Sequence, residues 1–160
     1  MANAGGLTTS VPTGLQGLIK VTEWGGEEGT EWHTGSVDDI IDVTVHFGDE
    51  NITRMDVTYE LDGEIETKSY GVTGLESERI SFEKGEYIKS LSGRFEEMNG
   101  VVVIRKLTAD KDDGDSKDFG KDSGTPFSLS LEKGKVSGFH GRADATKGAI
   151  TALGVYLRAD

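Results

Sequence analysis

The stretch Trp24-Gly-Gly-Glu-Glu-Gly-Thr30 returns in altered form as Phe119-Gly-Lys-Asp-Ser-Gly-Thr125, with an aromatic, a glycine, a second glycine and a threonine in the same order. A shorter copy, Tyr70-Gly-Val-Thr-Gly74, stands between them, so the aromatics recur at a period of roughly 50 residues. Two further elements keep the same phase. Phe82-Glu-Lys-Gly85 with Ile88 and Gly93 resembles Leu131-Glu-Lys-Gly134 with Val136 and Gly141. Ile52-Thr-Arg-Met55 recurs as Ile104-Arg-Lys-Leu107 and as Ile150-Thr-Ala-Leu153. Self-similarity of this kind predicts three copies of one supersecondary unit sharing a core. An aromatic-Gly turn needs glycine because it demands positive φ or a backbone too close to a neighbour for a Cβ.

Within the copies the apolar residues alternate. Ile41, Val43, Val45 and Phe47 are interleaved with Asp42, Thr44 and His46, and Met55, Val57, Tyr59 and Leu61 with Asp56, Thr58 and Glu60. Period two in β-branched and aromatic residues predicts half-buried strands. No segment carries a helical stripe, so the expected class is all-β. Residues 1–17 lack any charge and read as a flexible lead-in or linker, leaving 18–160 as the folded domain.

Composition narrows the function. The chain has 160 residues, enough for one core without a disulfide or metal staple. Its 17 Lys and Arg against 29 Asp and Glu give a formal net charge of -12, which repels a phosphate backbone and speaks against nucleic acid. There is no cysteine, which removes thiolate chemistry and fits a reducing compartment. With no apolar run long enough for a membrane span and no signal-like start, the expected location is cytoplasmic or nuclear.

Several residues invite chemistry and have plainer readings. The acidic run Asp110–Asp115 lacks the glycine and glutamate positions of a calcium loop and reads as a solvated hairpin tip. His33, His46 and His140 have no zinc-ligand spacing, and His140, beside the core candidate Phe139, reads as a surface or hydrogen-bonded histidine. Glu27 and Glu28 are one carboxylate pair among many, which carries little weight for glycosidase chemistry. The acceptor pattern Asn51-Ile-Thr53 is idle without secretion. Trp24 and Trp32 can stack on sugar rings or plug a core. No catalytic residue, metal or cofactor is expected.

The residues 119–129, then Gly134-Lys-Val-Ser-Gly-Phe-His-Gly-Arg142 and Ala152-Leu-Gly-Val-Tyr-Leu157, closely resemble the C-terminal half of the plant jacalin-related lectins. Ile19-Lys-Val-Thr-Glu-Trp-Gly-Gly26 is similar to their first strand and loop, and the likeness covers residues 18 to 158. It implies a β-prism I: three four-stranded Greek-key antiparallel sheets with pseudo-threefold symmetry. It also implies sugar binding without chemistry, in the mannose-type branch, where two loops meet at one end of the prism. One loop corresponds here to Gly29, whose amide donates to a sugar hydroxyl. The other is a Gly-x-x-x-Asp turn whose carboxylate accepts from two hydroxyls.

This chain departs from that second motif. Between Arg142 and Ala152 its loop is longer than the family's, and Thr151 stands where the carboxylate belongs. The expected site is therefore Gly29 with Asp144, Gly148, Ala149, Ile150 and Thr151. Thr151 would offer a hydroxyl and Asp144 would fold over the site. The turn Gly48-Asp-Glu-Asn-Ile52 lacks a terminal carboxylate too, which argues against a second site there. The galactose-preferring branch uses a freed N-terminal glycine, whereas Gly25 and Gly26 lie inside a continuous chain. The expected partners are mannose- or glucose-class glycans, with a possible homodimer raising avidity. The competing reading is a β-prism interaction module, or a detached lectin part of a larger protein, with altered sugar binding.

Overall fold

The computed structural model describes residues 7–9 and 18–159. In chain order its strands are β1 (Leu7–Thr9), β2 (Leu18–Lys20), β3 (Trp24–Gly25), β4 (Thr30–His33) and β5 (Asp39–Phe47). Next come β6 (Ile52–Leu61), β7 (Glu64–Gly71), β8 (Glu76–Ser81), β9 (Ile88–Met98) and β10 (Val101–Lys111). The last are β11 (Ser116–Gly120), β12 (Thr125–Ser130), β13 (Lys135–Asp144) and β14 (Ala149–Arg158).

Three Greek keys follow. One sheet runs β7-β6-β5-β8 and the next has β12-β9-β10-β11, with β1 added to β12 in parallel. The third runs β2-β14-β13-β4 with β3 also on β14, so its strands come from both ends of the described chain. Of the expected lead-in 1–17, only Leu7–Thr9 is described, as strand β1; the rest of that expectation lies outside the described residues.

Register shows why the repeats recur. Trp24 pairs with Leu153, Tyr70 with Met55 and Phe119 with Leu107, so the three aromatics occupy equivalent places. Behind each comes a glycine at positive φ: Gly25 (118°), Gly71 (103°) and Gly120 (91°). A Cβ on these would run into the carbonyl oxygens of Thr151, Thr53 and Arg105 respectively. Both reasons for glycine thus apply at each copy.

The aromatics then seal the seams between sheets. Trp24 stacks on Phe127 of β12 with ring centroids 4.7 Å apart, and Tyr70 stacks on Trp32 of β4 at 4.3 Å. Such pairs add about 0.5–1.5 kcal/mol beyond the area they bury. Phe127 lies opposite Gly93 and Trp32 opposite Gly141, because a side chain there would occupy the ring's place. At the third seam the equivalent of these rings is Glu78, opposite Val45, and Lys117 bridges to Glu78 at 3.1 Å. Val45, Val57, Leu129, Leu153 and Val155 at the centre have no exposed surface at all.

Replacing Gly93 by Ala would put a Cβ 2.6 Å from the Phe127 ring edge and against the Lys106 carbonyl. The expected cost is about 3 kcal/mol by denaturant titration, against less than about 0.5 kcal/mol for Gly48→Ala, whose Cβ meets open space.

Candidate functional site

The two loops expected to meet do so. Gly29 is exposed, has φ of 91°, and lies so close to Ala143 and Asp144 that a Cβ would meet the Asp144 amide nitrogen at 3.0 Å. Arg142 fixes the loop from below: its Nη1 donates to the Gly29 carbonyl at 3.2 Å, its Nη2 to Glu31 at 3.2 Å, and its Nε faces Glu23 at 3.4 Å. The residues between Asp144 and Ala149 form a four-residue turn at the tip of the β13–β14 hairpin.

Asp144 organises that turn. Its Oδ1 accepts from the Thr146 and Lys147 amides at 3.0 and 3.2 Å, so one carboxylate oxygen is committed to the backbone. Gly148 adopts φ of 64°, and its carbonyl accepts from the Asn51 side-chain amide at 3.1 Å. This bond joins the inserted turn to the β5–β6 loop. No motif marked Asn51 for the task; its sequence signal was a glycosylation pattern. In the structure its side-chain nitrogen also donates to its neighbour's carbonyl, Ile52, at 3.0 Å.

Three of the expected site residues present no side chain to a ligand. Ala149 and Ile150 are 1% exposed and Thr151 is 0% exposed. The Thr151 hydroxyl donates inward to the Glu28 carbonyl at 2.7 Å, and its own carbonyl accepts from the Gly26 amide at 2.8 Å. Thr151 therefore ties the Gly-rich loop to β14 instead of offering a free hydroxyl. The reason is that β14 is covered on both faces over Ala149–Val155, so alternation along it does not send every second side chain to solvent. What remains open toward solvent is Gly29 and the turn from Asp144 to Gly148.

Two grooves flank this end. One, about 650 Å³, is lined by Trp24, Gly26, Glu27, Glu28, Glu97 and Val102, among others, and is acidic. The other, about 460 Å³, runs between β4 and β7 and begins at Thr30 and Ala143. Trp24 and Trp32 are 5% and 7% exposed, which makes them plugs of the core. His140 is 3% exposed, and its Nε2–H donates to the Val21 carbonyl at 2.7 Å while Nδ1 lies 3.2 Å from Glu23. It is a buried, hydrogen-bonded histidine and not a surface one. The run 110–115 closes the β10–β11 hairpin, where Asp112 and Asp113 accept from the Tyr87 and Asp115 amides at 3.0 and 2.9 Å.

Two measurements check this geometry. Thr151→Val removes the bond to Glu28 and should cost about 1 kcal/mol of stability while leaving the fold intact by circular dichroism. Burial, with a smaller contribution from Tyr59, pushes the Tyr70 phenol up to about 12. Because folding favours the neutral phenol, this contribution is complete below about pH 10, the ordinary phenol value, and is lost as pH climbs toward 12. An ultraviolet titration should show a late-ionising phenol, and Tyr70→Phe should reduce the amplitude of that late step.

The profile of the jacalin-like lectin domain matches residues 21–156. A mannose/glucose-specific lectin of Parkia platycephala is 32% identical over 151 residues, covering 90% of this chain and 33% of that protein. The chain spans about a third of the length of the curated relatives it matches first. Among solved structures, wild-type Malaysian banana lectin superposes with a TM-score of 0.83 at 40% identity, covering 90% of this chain and 100% of that one. A mannose-specific jacalin-related lectin of Morus nigra, solved in complex with mannose, has a TM-score of 0.79 at 30% identity, with 92% and 99% covered.

Proposed function

The chain belongs to the jacalin-like lectin domain family, and from that membership we propose that it binds mannose- or glucose-class glycans, without catalysis, through Gly29 and the turn Asp144–Gly148. The observation that carries the proposal is the packing of Gly29 against the Ala143 carbonyl and the Asp144 amide. It brings the exposed Gly29 next to the backbone of Asp144, and a saccharide with neighbouring hydroxyls can use the Gly29 amide as donor and the Asp144 carboxylate as acceptor. The missing Cβ at Gly29 is what lets the Ala143 carbonyl and the Asp144 amide pack so closely against it. Specific relatives support the sugar class: the Parkia and Morus nigra proteins are described as mannose/glucose-specific and mannose-specific.

The same geometry makes the site weak. One Asp144 oxygen is already bonded to two amides, and Thr151 supplies no acceptor to solvent. About four hydrogen bonds at ~1 kcal/mol each correspond to roughly millimolar affinity for one ring. Pairing of two copies in a homodimer would raise avidity without new contacts. A cytoplasmic or nuclear location, argued from the absence of cysteine, belongs to the proposal as well. The buried Thr151 favours one second reading, a β-prism interaction module that has lost sugar affinity.

Calorimetric titration separates the two. Mannose and glucose should bind with Kd near the millimolar range and galactose more weakly. Asp144→Ala should weaken mannose binding about fivefold or more, because it removes the acceptor and frees the turn it caps. No heat with any hexose, or unchanged affinity in Asp144→Ala, would defeat the assignment.

A further inference from the structure

The groove between β4 and β7 takes no part in the site just described, yet it starts where that site ends. Thr30 follows Gly29 directly, and Ala143, whose carbonyl supports Gly29, lines the groove's near end. At about 460 Å³ it falls within the roughly 300–1,000 Å³ of ligand clefts. The inserted turn stands beside it: Gly148 is anchored by Asn51, and a Cβ there would touch Val72, the residue after the groove-lining Gly71.

We propose that this groove is a second saccharide subsite, which holds the next residue of an oligosaccharide whose first residue sits at Gly29 and Asp144. The proposal rests on the sugar-binding reading above and extends it to a substrate class, oligosaccharides over single sugars. A sugar ring presents an apolar C–H face and a polar hydroxyl edge, so a subsite needs an aromatic surface with donors and acceptors around it. Tyr70 supplies the aromatic surface, its ring backed by the buried Trp32, on which it stacks at 4.3 Å with 16° between their planes. The ring of Tyr70 is held in place because its hydroxyl donates to the His33 carbonyl at 2.8 Å. Exposed Glu31 on one wall and Lys68 on the other supply an acceptor and donors. A surface fixed in this way loses little freedom when a ligand arrives.

Pseudo-symmetry sharpens the choice of occupant. The equivalent seam at Trp24 and Phe127 has β1 seated on β12, and the seam at Phe119 is bridged by Lys117 and Glu78. Among the described residues no strand adds to β4. An added strand would need the outward carbonyl of His33, and Tyr70 already occupies it. A saccharide does not need that group.

The test compares calorimetric affinities for mannose and an α-linked mannotriose in the wild type, Lys68→Ala and Tyr70→Ala. In the wild type the trisaccharide should bind about tenfold tighter than mannose, a gain larger than its extra residues give by statistics alone. Lys68→Ala, on an exposed strand and safe for folding, should cut that ratio about threefold, and Tyr70→Ala should bring it near the statistical value, with mannose affinity unchanged in both. In NMR spectra the Trp32 indole signal should move with the trisaccharide and stay still with mannose, which keeps the test valid if Tyr70→Ala folds poorly. A ratio that survives in Lys68→Ala, together with a silent indole, places the extra residue elsewhere and overturns the subsite. Mannose binding with no trisaccharide gain sinks the subsite alone; silence with both sugars sinks the sugar-binding reading along with it.

Discussion

Three backbone carbonyls hold the prism together. The oxygens of Thr151, Thr53 and Arg105 each lie against the Cα of a positive-φ glycine, Gly25, Gly71 and Gly120. Each also accepts a hydrogen bond from the next amide, of Gly26, Val72 and Lys121, at 2.8, 3.0 and 2.8 Å. This contact brings the outer strand of each sheet tight against its neighbour and turns the chain toward the loop before the fourth strand. It recurs three times, so the β13–β14, β5–β6 and β9–β10 turns gather at one end of the molecule, each beside a glycine: Gly29, Gly74 or Gly124. A Cβ on those three would strike the backbone of residues 143, 47 and 95, which are themselves equivalent. The concave end that serves as the candidate site is therefore a by-product of how the sheets close.

Symmetry of backbone has been broken by side chains. At the first loop Thr151 braces Glu28; at its equivalent in the β9–β10 sheet stands Arg105, 5% exposed and paired with Glu96 and Glu50. A buried cation held by carboxylates keeps that loop as structure, since removing one partner would strand a charge. The turn of residues 145–148 closes the first loop and is fastened to the second by the Asn51 side chain. One end of one scaffold thus carries three loops with three different chemistries.

Much of this architecture is legible in the sequence. Trp24, Tyr70 and Phe119, and the phase of Ile52, Ile104 and Ile150, encode the threefold repeat because each copy solves the same packing problem with the same residue types. The glycines were readable for the same reason: no other residue survives where a carbonyl occupies the place of Cβ. The direction of Thr151 was not readable, because β14 is buried on both faces and a period-two argument fails where neither face meets water. The sequence places Asp144 in a loop folding over the site, and only the turn geometry shows one of its oxygens spent on Thr146 and Lys147. The groove between β4 and β7 joins residues from sheets whose mutual placement no local pattern records.

The proposed sugar site requires one polyol to reach both the Gly29 amide and the Asp144 carboxylate. A crystal soaked in concentrated mannose measures this most directly. The expected result is one ring whose hydroxyls lie within hydrogen-bond distance of the Gly29 amide and an Asp144 oxygen. A ring bound only at the Gly74 loop, or a soaked crystal with no sugar at the prism's end, would contradict it.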